Sequence, residues 1–176
     1  MQRTPSSLQL ISAWDAALCL RCNRVSRNRA LRVLFRAVSR VGDGILWYGL
    51  MALLLAADGA AAFAAVWRMA VAGLLGLLIY KALKARTSRP RPYQVHSAIT
   101  AAAQALDKFS FPSGHTLHAV AFSVVATAYY PALAPLLAPL VLLIALSRPV
   151  LGLHYPSDVL AGAAIGWSLA RLVLML

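Results

Sequence analysis

Three groups of polar residues lie in the second half of this 176-residue chain, each beside a long apolar stretch. They comprise Lys84 with Arg91 and Pro92, then the run Pro112, Ser113, Gly114 and His115, and finally Ser147 and Arg148 followed by His154 and Asp158. Three of these residues are cations, and Asp158 is the one acid near them, so the set favours binding of an external anion. Guanidinium groups match phosphate oxygens through paired hydrogen bonds. The pattern therefore predicts a phosphate site that includes Lys84, Arg91 and Arg148.

The second group adds backbone donors and a histidine. Ser113 and Gly114 are expected where a loop becomes a helix, and backbone N–H groups at such a position lack helical partners and can face an anion. We therefore expect both N–H groups to be unpaired donors toward the phosphate. His118, one turn after His115, is predicted to be structural or to line the rim of the site.

Two histidines and one carboxylate complete a candidate reaction centre. His154 and Asp158 are four residues apart, which places them on one helix face or lets the carboxylate reach back to the ring. A carboxylate on one ring nitrogen fixes the tautomer and leaves the other nitrogen available as a nucleophile. His115 can then protonate the departing oxygen and afterwards activate water. The combination predicts phosphoryl transfer that needs no metal and no other cofactor.

Each group also has an explanation without chemistry. A single histidine in a membrane helix can be a hydrogen-bonded structural residue, and a basic loop after a membrane span commonly anchors a protein at the interface. Neither explanation predicts that two histidines, one acid and three cations occur together. We therefore favour a reaction centre.

The elements that position these groups are predicted to be membrane helices. Apolar residues make up 61% of the chain, above the 45–50% that is typical of soluble domains. The mean hydropathy is +0.71. Apolar stretches long enough to approach a span cover residues 44–57, 60–80 with Arg68 inside, two segments divided at Tyr129, Tyr130 and Pro131, and 159–176. We expect an all-α bundle with about five transmembrane helices, with four or six as the alternatives. Since two spans separate the first two groups from the third, all three emerge on one side of the membrane.

The N-terminal residues 1–43 contain eight arginines. Four of them fall at positions 29, 32, 36 and 40, a spacing that puts them on one stripe of a helix. This pattern predicts amphipathic helices that lie in the membrane interface; a solvated face of a helix packed on the rest of the protein is the alternative. A cleaved signal peptide is not expected, because Asp15 interrupts the first apolar stretch and no A-x-A site follows. We therefore expect one domain, with basic helices in 1–43 and a catalytic bundle in 44–176.

The net charge of +12 raises the question of a nucleic-acid partner. The basic residues share the chain with long apolar stretches, which a nucleic-acid-binding domain does not require. Anionic lipid headgroups or phosphorylated substrates are therefore the expected partners. Cys19 and Cys22 form a C-x-x-C without a second pair, and we interpret them as small apolar helix residues. Gly162 and Gly166 form a G-x-x-x-G that is expected to allow close helix packing within the monomer.

The order of the three groups resembles the complete signature of the type 2 phosphatidic acid phosphatase superfamily, which includes vanadium haloperoxidases. The resemblance covers residues 84–158, whereas the first 80 residues match only in general character. It implies that His154 forms a phosphohistidine, that Asp158 orients it, and that His115 acts first as acid and then as base. It also implies a phosphate-binding set, without metal, of Lys84, Arg91, Ser113, Gly114 and Arg148. Better-known lipid phosphatases of the family have six spans, one more than we expect here.

These observations predict an integral membrane phosphatase that removes a terminal phosphate from a lipid. By resemblance, candidate substrates are undecaprenyl diphosphate, phosphatidylglycerol phosphate, phosphatidic acid or another prenyl phosphate. A phosphotransferase that passes the group from His154 to a second lipid is the close alternative. The apolar spans disfavour a haloperoxidase, which is normally soluble, and a lipid-binding or transport protein without catalysis is a more distant alternative.

The expected location is the cell membrane, as a multi-pass protein of a bacterial inner membrane. With alternating spans, all basic residues except Arg68 and Arg171 fall on the catalytic side. The positive-inside rule then places the site at the cytoplasmic face, whereas well-known bacterial relatives face the periplasm. Basic residues near a phosphate site also serve to capture the substrate, so the preference for the cytoplasmic face is slight. The oligomeric state stays open.

Overall fold

The computed structural model describes residues 7–176, with side chains described from Ser12 onward. The helices are α1 (Ser7–Arg24), α2 (Arg29–Val41), α3 (Ile45–Asp58), α4 (Phe63–Thr87), α5 (Pro92–Val95), α6 (Gly114–Tyr129), α7 (Ala134–Val150) and α8 (Pro156–Leu174). Single turns of 3₁₀-helix at Val25–Arg27, Gly59–Ala62 and Pro131–Leu133 join neighbouring helices. Residues 7–176 contain no β-strand, so the described part of the chain is all-α as expected.

Three stretches within the described residues are long and apolar enough to cross a membrane. They are Ile45–Val95, which includes both α3 and α4, Pro131–Val150 and Pro156–Leu174. An 18-residue window in each has a mean hydropathy of 2.0, 1.9 and 1.3, respectively. Helix α6 has 16 residues and lies at the centre of the bundle rather than among these stretches. The membrane character follows from these segments, whereas the count of five spans stays a prediction.

Helix α6 packs along α8, and two glycines of α8 set how closely. A Cβ atom built on Gly162 would lie 2.5 Å from the carbonyl oxygen of Ser113, and one on Gly166 would collide with the backbone of Leu117. The predicted use of the G-x-x-x-G for close packing within the monomer is confirmed. The close approach lets the Ser113 N–H donate to the carbonyl oxygen of Asp158 at 3.0 Å, so that the second and third polar groups meet.

The bundle is apolar both inside and outside. Its core contains large buried side chains such as Trp47, Met69, Phe122 and Ile144. Large apolar side chains also cover the outer faces of the helices, among them Leu53, Leu136, Leu160, Trp167 and Leu172, each more than half exposed. An apolar outer surface of this extent suits lipid rather than water.

The N-terminal helices are part of the packed bundle. Helix α1 contacts α7 and α8, and α2 contacts α7. Asn23 at the end of α1 donates to the carbonyl oxygens of Thr100 and Val150, both at 3.0 Å, which ties α1 to the long loop and to α7. Cys19 is fully buried and burial raises the pKa of its thiol to about 12, so it behaves as the apolar residue we predicted. The placement of α2 in a membrane interface stays a prediction.

Candidate active site

A cavity of about 700 Å³ lies between α3, α4 and α6. Its lining residues on α4 run from Ala70 to Lys84, roughly 21 Å along the helix axis. The polar side chains of its lining are Asp43, Tyr48, Tyr80, Lys81, Lys84, Arg91, Asp107, His115, His118, Arg148 and His154. The apolar ones include Trp47, Met51, Leu74, Leu77 and Phe122. One continuous space therefore joins a charged chamber to an apolar channel.

His154 lies in the turn between α7 and α8 and is 2% exposed. Its Nδ1 is 2.6 Å from the carbonyl oxygen of Ser110. A carbonyl only accepts, so Nδ1 carries the proton and Nε2 is unprotonated. Burial, and after it the positive charges of Arg148 and Arg91, lowers the pKa of His154 well below its ordinary value of 6.5. The ring is thus neutral and has the state that a nucleophile needs.

Asp158 lies behind this ring, with its carboxylate 3.8 Å from Nδ1 of His154. That distance is longer than a hydrogen bond, so the direct ring–carboxylate bond expected from the sequence is replaced by the bond to Ser110. The physical reason is that Asp158 occupies the third position of α8. Its carboxylate accepts from the N–H of Tyr155 at 2.8 Å and closes the first turn of the helix.

Arg91 and Lys84 are both buried, and both bind Asp107. The Arg91 Nη2 atom is 2.7 Å from Oδ1 of Asp107, and Lys84 Nζ is 2.7 and 2.8 Å from its two carboxylate oxygens. The expectation that Asp158 is the one acid near the cations is therefore wrong. Asp107 comes from a loop that returns over the site, a path that sequence spacing does not show.

Arg91 also connects the cation pair to the nucleophile. Its Nη1 atom donates to the carbonyl oxygen of Leu153 at 2.7 Å and lies 3.3 Å from Nε2 of His154. Its Nε donates to the backbone oxygen of Asp107 at 3.1 Å. Arg91 is thereby fixed directly beside the nitrogen that would attack phosphorus.

Arg148, near the end of α7, is 2% exposed. Its Nη1 donates to the hydroxyl oxygen of Ser39 on α2, and its buried Nε has no hydrogen-bond partner among the described residues. A buried guanidinium nitrogen without an acceptor costs free energy, and an oxyanion in the cavity would remove that cost. Arg148 is therefore prepared for an anionic ligand.

His115 and Gly114 begin α6 and line the cavity. The Nε2 atom of His115 contacts the carboxylate of Asp43, which lies in the turn between α2 and α3. The ring and the carboxylate form a pair in which Asp43 favours the protonated ring. Burial, and after it the positive charge of Arg148, outweighs this effect and lowers the pKa of His115. The predicted acid and the predicted nucleophile thus line the same cavity.

Ser113 does not line the cavity, which corrects part of our expectation. Its N–H is occupied by the carbonyl oxygen of Asp158, and its hydroxyl, 3.0 Å from that of Thr116, caps α6. The reason is the close approach of α8, which uses the Ser113 N–H as a contact between helices. Its predicted phosphate-binding role stays a prediction, and Gly114 is the residue of this pair that faces the cavity.

His118 lies one turn further along α6. Its ring nitrogens are 2.9 Å from the carbonyl oxygen of Gly114 and 3.1 Å from that of Gly73 on α4. The residue joins two helices and lines the cavity wall. We predicted that His118 is structural or lines the rim of the site, and the structure shows both a contact between helices and a place in the cavity lining.

A second ion network lies behind the site, and sequence reasoning missed it. Arg89 donates to Asp158 at 2.6 Å and to the fully buried Asp15 of α1 at 2.7 Å. Asp15 also accepts from the backbone N–H of Ser157 at 2.9 Å. Helix α1 therefore holds the first turn of α8, on which the position of His154 depends.

One signal in the sequence could have indicated the missed acids. The whole chain has five acidic residues, and four of them, all but Asp58, take part in the contacts described above. Acidic residues are costly near a membrane unless they are paired. In a chain so poor in acids, each one near a basic cluster is a candidate partner for it.

Comparisons with known proteins agree with this arrangement. Residues 65–176 match the family model of the PAP2 superfamily. Over 145 residues, which are 78% of this chain and 76% of the relative, the chain is 35% identical to decaprenylphosphoryl-5-phosphoribose phosphatase of Mycobacterium tuberculosis. The chain belongs to the PAP2 superfamily, that of the type 2 phosphatidic acid phosphatases, and it is a phosphatase.

Two solved structures share the fold. The transmembrane PAP2-type phosphatidylglycerolphosphate phosphatase from Bacillus subtilis superposes with a TM-score of 0.75 at 22% identity, over 94% of this chain and 85% of that one. Aquifex aeolicus LpxE superposes with a TM-score of 0.80 at 25% identity, over 91% of this chain and 94% of that one. The N-terminal helices, which lie outside the family match, are thus largely included in the shared fold.

Proposed function

We propose that this protein is a multi-pass membrane enzyme that hydrolyses the terminal phosphate of a lipid through a phosphohistidine on His154. One observation carries the proposal. The buried His154, with its unprotonated Nε2, lines a cavity together with Lys84, Arg91 and Arg148, and the buried Nε of Arg148 has no hydrogen-bond partner in the described part of the chain. Such a site is suited to an oxyanion whose phosphorus atom lies beside the ring.

Binding of the phosphate uses the cations and the start of α6. Arg91 and Arg148 can each present a fork of N–H groups to the phosphate oxygens, while Lys84 supplies a point charge. The Gly114 backbone lies at the N-terminus of α6, where the helix dipole favours an anion. These groups would stabilise the charge that builds on the equatorial oxygens in the transition state.

The reaction then proceeds in two displacements. Nε2 of His154 attacks phosphorus, and the bond from phosphorus to the lipid oxygen breaks as that oxygen takes a proton from His115. His115, now neutral, removes a proton from water, which attacks the phosphohistidine. Inorganic phosphate leaves, His154 returns to its starting state and His115 is protonated again.

The apolar channel supports a long-chain lipid as the substrate class. Trp47, Met51 and Leu74 continue the cavity away from the cations and between α3 and α4. The M. tuberculosis relative is named for a decaprenyl lipid, and the B. subtilis enzyme for phosphatidylglycerolphosphate. We infer a substrate with a terminal phosphate on a prenyl or diacyl lipid.

The proposal is tested with purified protein and a panel of lipid phosphates and diphosphates. His154→Ala should abolish phosphate release, since no other described ring nitrogen occupies its place. His96→Ala removes a histidine that contacts Tyr155 outside the cavity and should keep most of the activity. Near-normal turnover by His154→Ala would refute the phosphohistidine. Loss of phosphate from the donor lipid only when an acceptor lipid is added, with the phosphate recovered on the acceptor, would identify a phosphotransferase instead.

A further inference from the structure

The carboxylate of Asp107 occupies the donors that a phosphate would need. Lys84 has three N–H donors, and its Nζ lies 2.7–2.9 Å from three oxygens, two of Asp107 and the carbonyl of Phe109. All three donors are thus already used. A phosphate oxygen can bind Lys84 directly only if Asp107 gives up its place.

The charges point to the same exchange. Besides its histidines, the cavity is lined by four cations and two carboxylates, whose charges sum to +2; they are Lys81, Lys84, Arg91, Arg148, Asp43 and Asp107. That net charge is matched to a phosphate monoester, which carries close to two negative charges at neutral pH. A phosphodiester carries one, so it competes poorly with a carboxylate that is already in place.

Asp107 is also the partner that can move. Its side chain is 38% exposed, whereas those of Lys84 and Arg91 are 8% and 2% exposed. It lies in the loop between α5 and α6, next to the exposed Leu106. Its backbone oxygen is held by Nε of Arg91, so the side chain can rotate away while the loop stays in position.

On these grounds we propose that Asp107 is a specificity-determining residue that acts as an exchangeable anion, an inference that rests on the proposed function. It neutralises Lys84 and Arg91 in the empty site, yields to the terminal phosphate of the substrate, and returns to expel inorganic phosphate. A membrane enzyme is surrounded by phosphodiester lipids at high local concentration. Asp107 keeps their single charge from occupying the site.

The test compares Asp107→Asn with the wild type in neutral detergent micelles, with phosphatidic acid as the substrate. The variant should bind inorganic phosphate and vanadate about tenfold more tightly, because a negative charge beside two buried cations is gone. Both kcat and KM should fall as product release slows. Phosphatidylglycerol, a phosphodiester, should become a competitive inhibitor of the variant and not of the wild type.

Matched variants separate this role from a structural one. Asp58→Asn makes the same charge change at an exposed site outside the cavity and should leave all constants unchanged. Asp107→Glu keeps the carboxylate and should restore weak phosphate binding. Weaker phosphate binding by Asp107→Asn would overturn the proposal, because it would mean that Asp107 only positions the cations. Unchanged binding of phosphate would overturn it too.

A second variant and a binding measurement make the test independent of how well Asp107→Asn folds and of catalytic turnover. Asp107→Ser also removes the negative charge, and it replaces Asp107→Asn if that variant folds poorly. Stabilisation of each protein by inorganic phosphate alone, followed by thermal unfolding, reports affinity without any reaction. Failure of the wild type to release phosphate from any lipid would refute the proposed function, whereas equal stabilisation of wild type and variant would refute only the role of Asp107.

Discussion

Nε2 of His154 can attack phosphorus only while it carries no proton. The neutral carbonyl of Ser110 holds the opposite nitrogen, and the Asp158 carboxylate remains at 3.8 Å. This arrangement fixes the tautomer without placing a full negative charge in contact with the ring. Burial and the neighbouring guanidinium groups then keep the ring neutral in the empty site.

Also at the level of single residues, we expect Arg148→Lys to lower kcat/KM by about a hundredfold. An ammonium group cannot reproduce two parallel N–H donors, and it would lose the bond from the guanidinium to Ser39. Steady-state kinetics on a lipid monophosphate measure the effect. Arg171→Lys, an exposed position near the C-terminus, is the matched control and should be unaffected. Equal kinetics of the two variants would show that Arg148 does not contact the phosphate.

At the scale of elements, the spacing of α6 and α8 decides whether the second and third polar groups form one site. The two helices meet through Gly162 and Gly166, where even a methyl group would strike backbone atoms. Helix α1 contributes from the other side, since its Asp15 binds both Arg89 and the first turn of α8. The catalytic turn is therefore held between α1 and α6.

Gly166→Ala should destabilise the protein by about 2 kcal/mol or more and reduce activity, since the new methyl group must push α8 away from the Leu117 backbone. Thermal unfolding in detergent measures the stability. Gly49→Ala is the matched control, because its methyl group would meet nothing within 4 Å and the substitution favours a helix. A Gly166→Ala protein that unfolds at the same temperature as Gly49→Ala would contradict the proposed tight contact.

At the scale of the whole molecule, charge and apolar surface are separated. The reactive residues gather at one end, together with the basic loop and the arginines of α2, while the apolar channel runs along α4. Such a separation suits a substrate with a charged head at the interface and a tail in the bilayer. It also bears on orientation, because basic residues are retained at the cytoplasmic face.

We expect the catalytic end to face the cytoplasm. The measurement uses a chain with Cys19 and Cys22 replaced by Ala and a new cysteine at Val95, which is 54% exposed. This cysteine should react with a membrane-impermeant maleimide only after permeabilisation of the cells. Ala60→Cys, in the exposed turn between α3 and α4, should react in intact cells. The opposite pattern of labelling would place the site on the outer face.

Much of the site could be predicted from the sequence alone. Several of the features that define the site are local and can be read from the order of residues. They are the spacing of His154 and Asp158, the run that ends at His115, and the long apolar segments. They predicted an all-helical membrane protein with a phosphoryl-transfer site, and the resemblance of the three polar groups to a known family added the phosphatase activity. Of the predicted site residues, all but Ser113 and Asp158 line the cavity. The use of Gly162 and Gly166 was also predictable, because small residues four apart on an apolar helix mark close packing.

The tertiary structure alone decided which acids complete the site. Asp107 reaches Lys84 across 23 positions, Asp43 reaches His115 across 72, and Asp15 reaches Arg89 across 74. Such contacts depend on the path of loops and on distances between helices, which the pattern along any single helix does not contain. For the same reason, only the tertiary structure shows that the His154 ring bonds the carbonyl oxygen of Ser110 and not the carboxylate of Asp158.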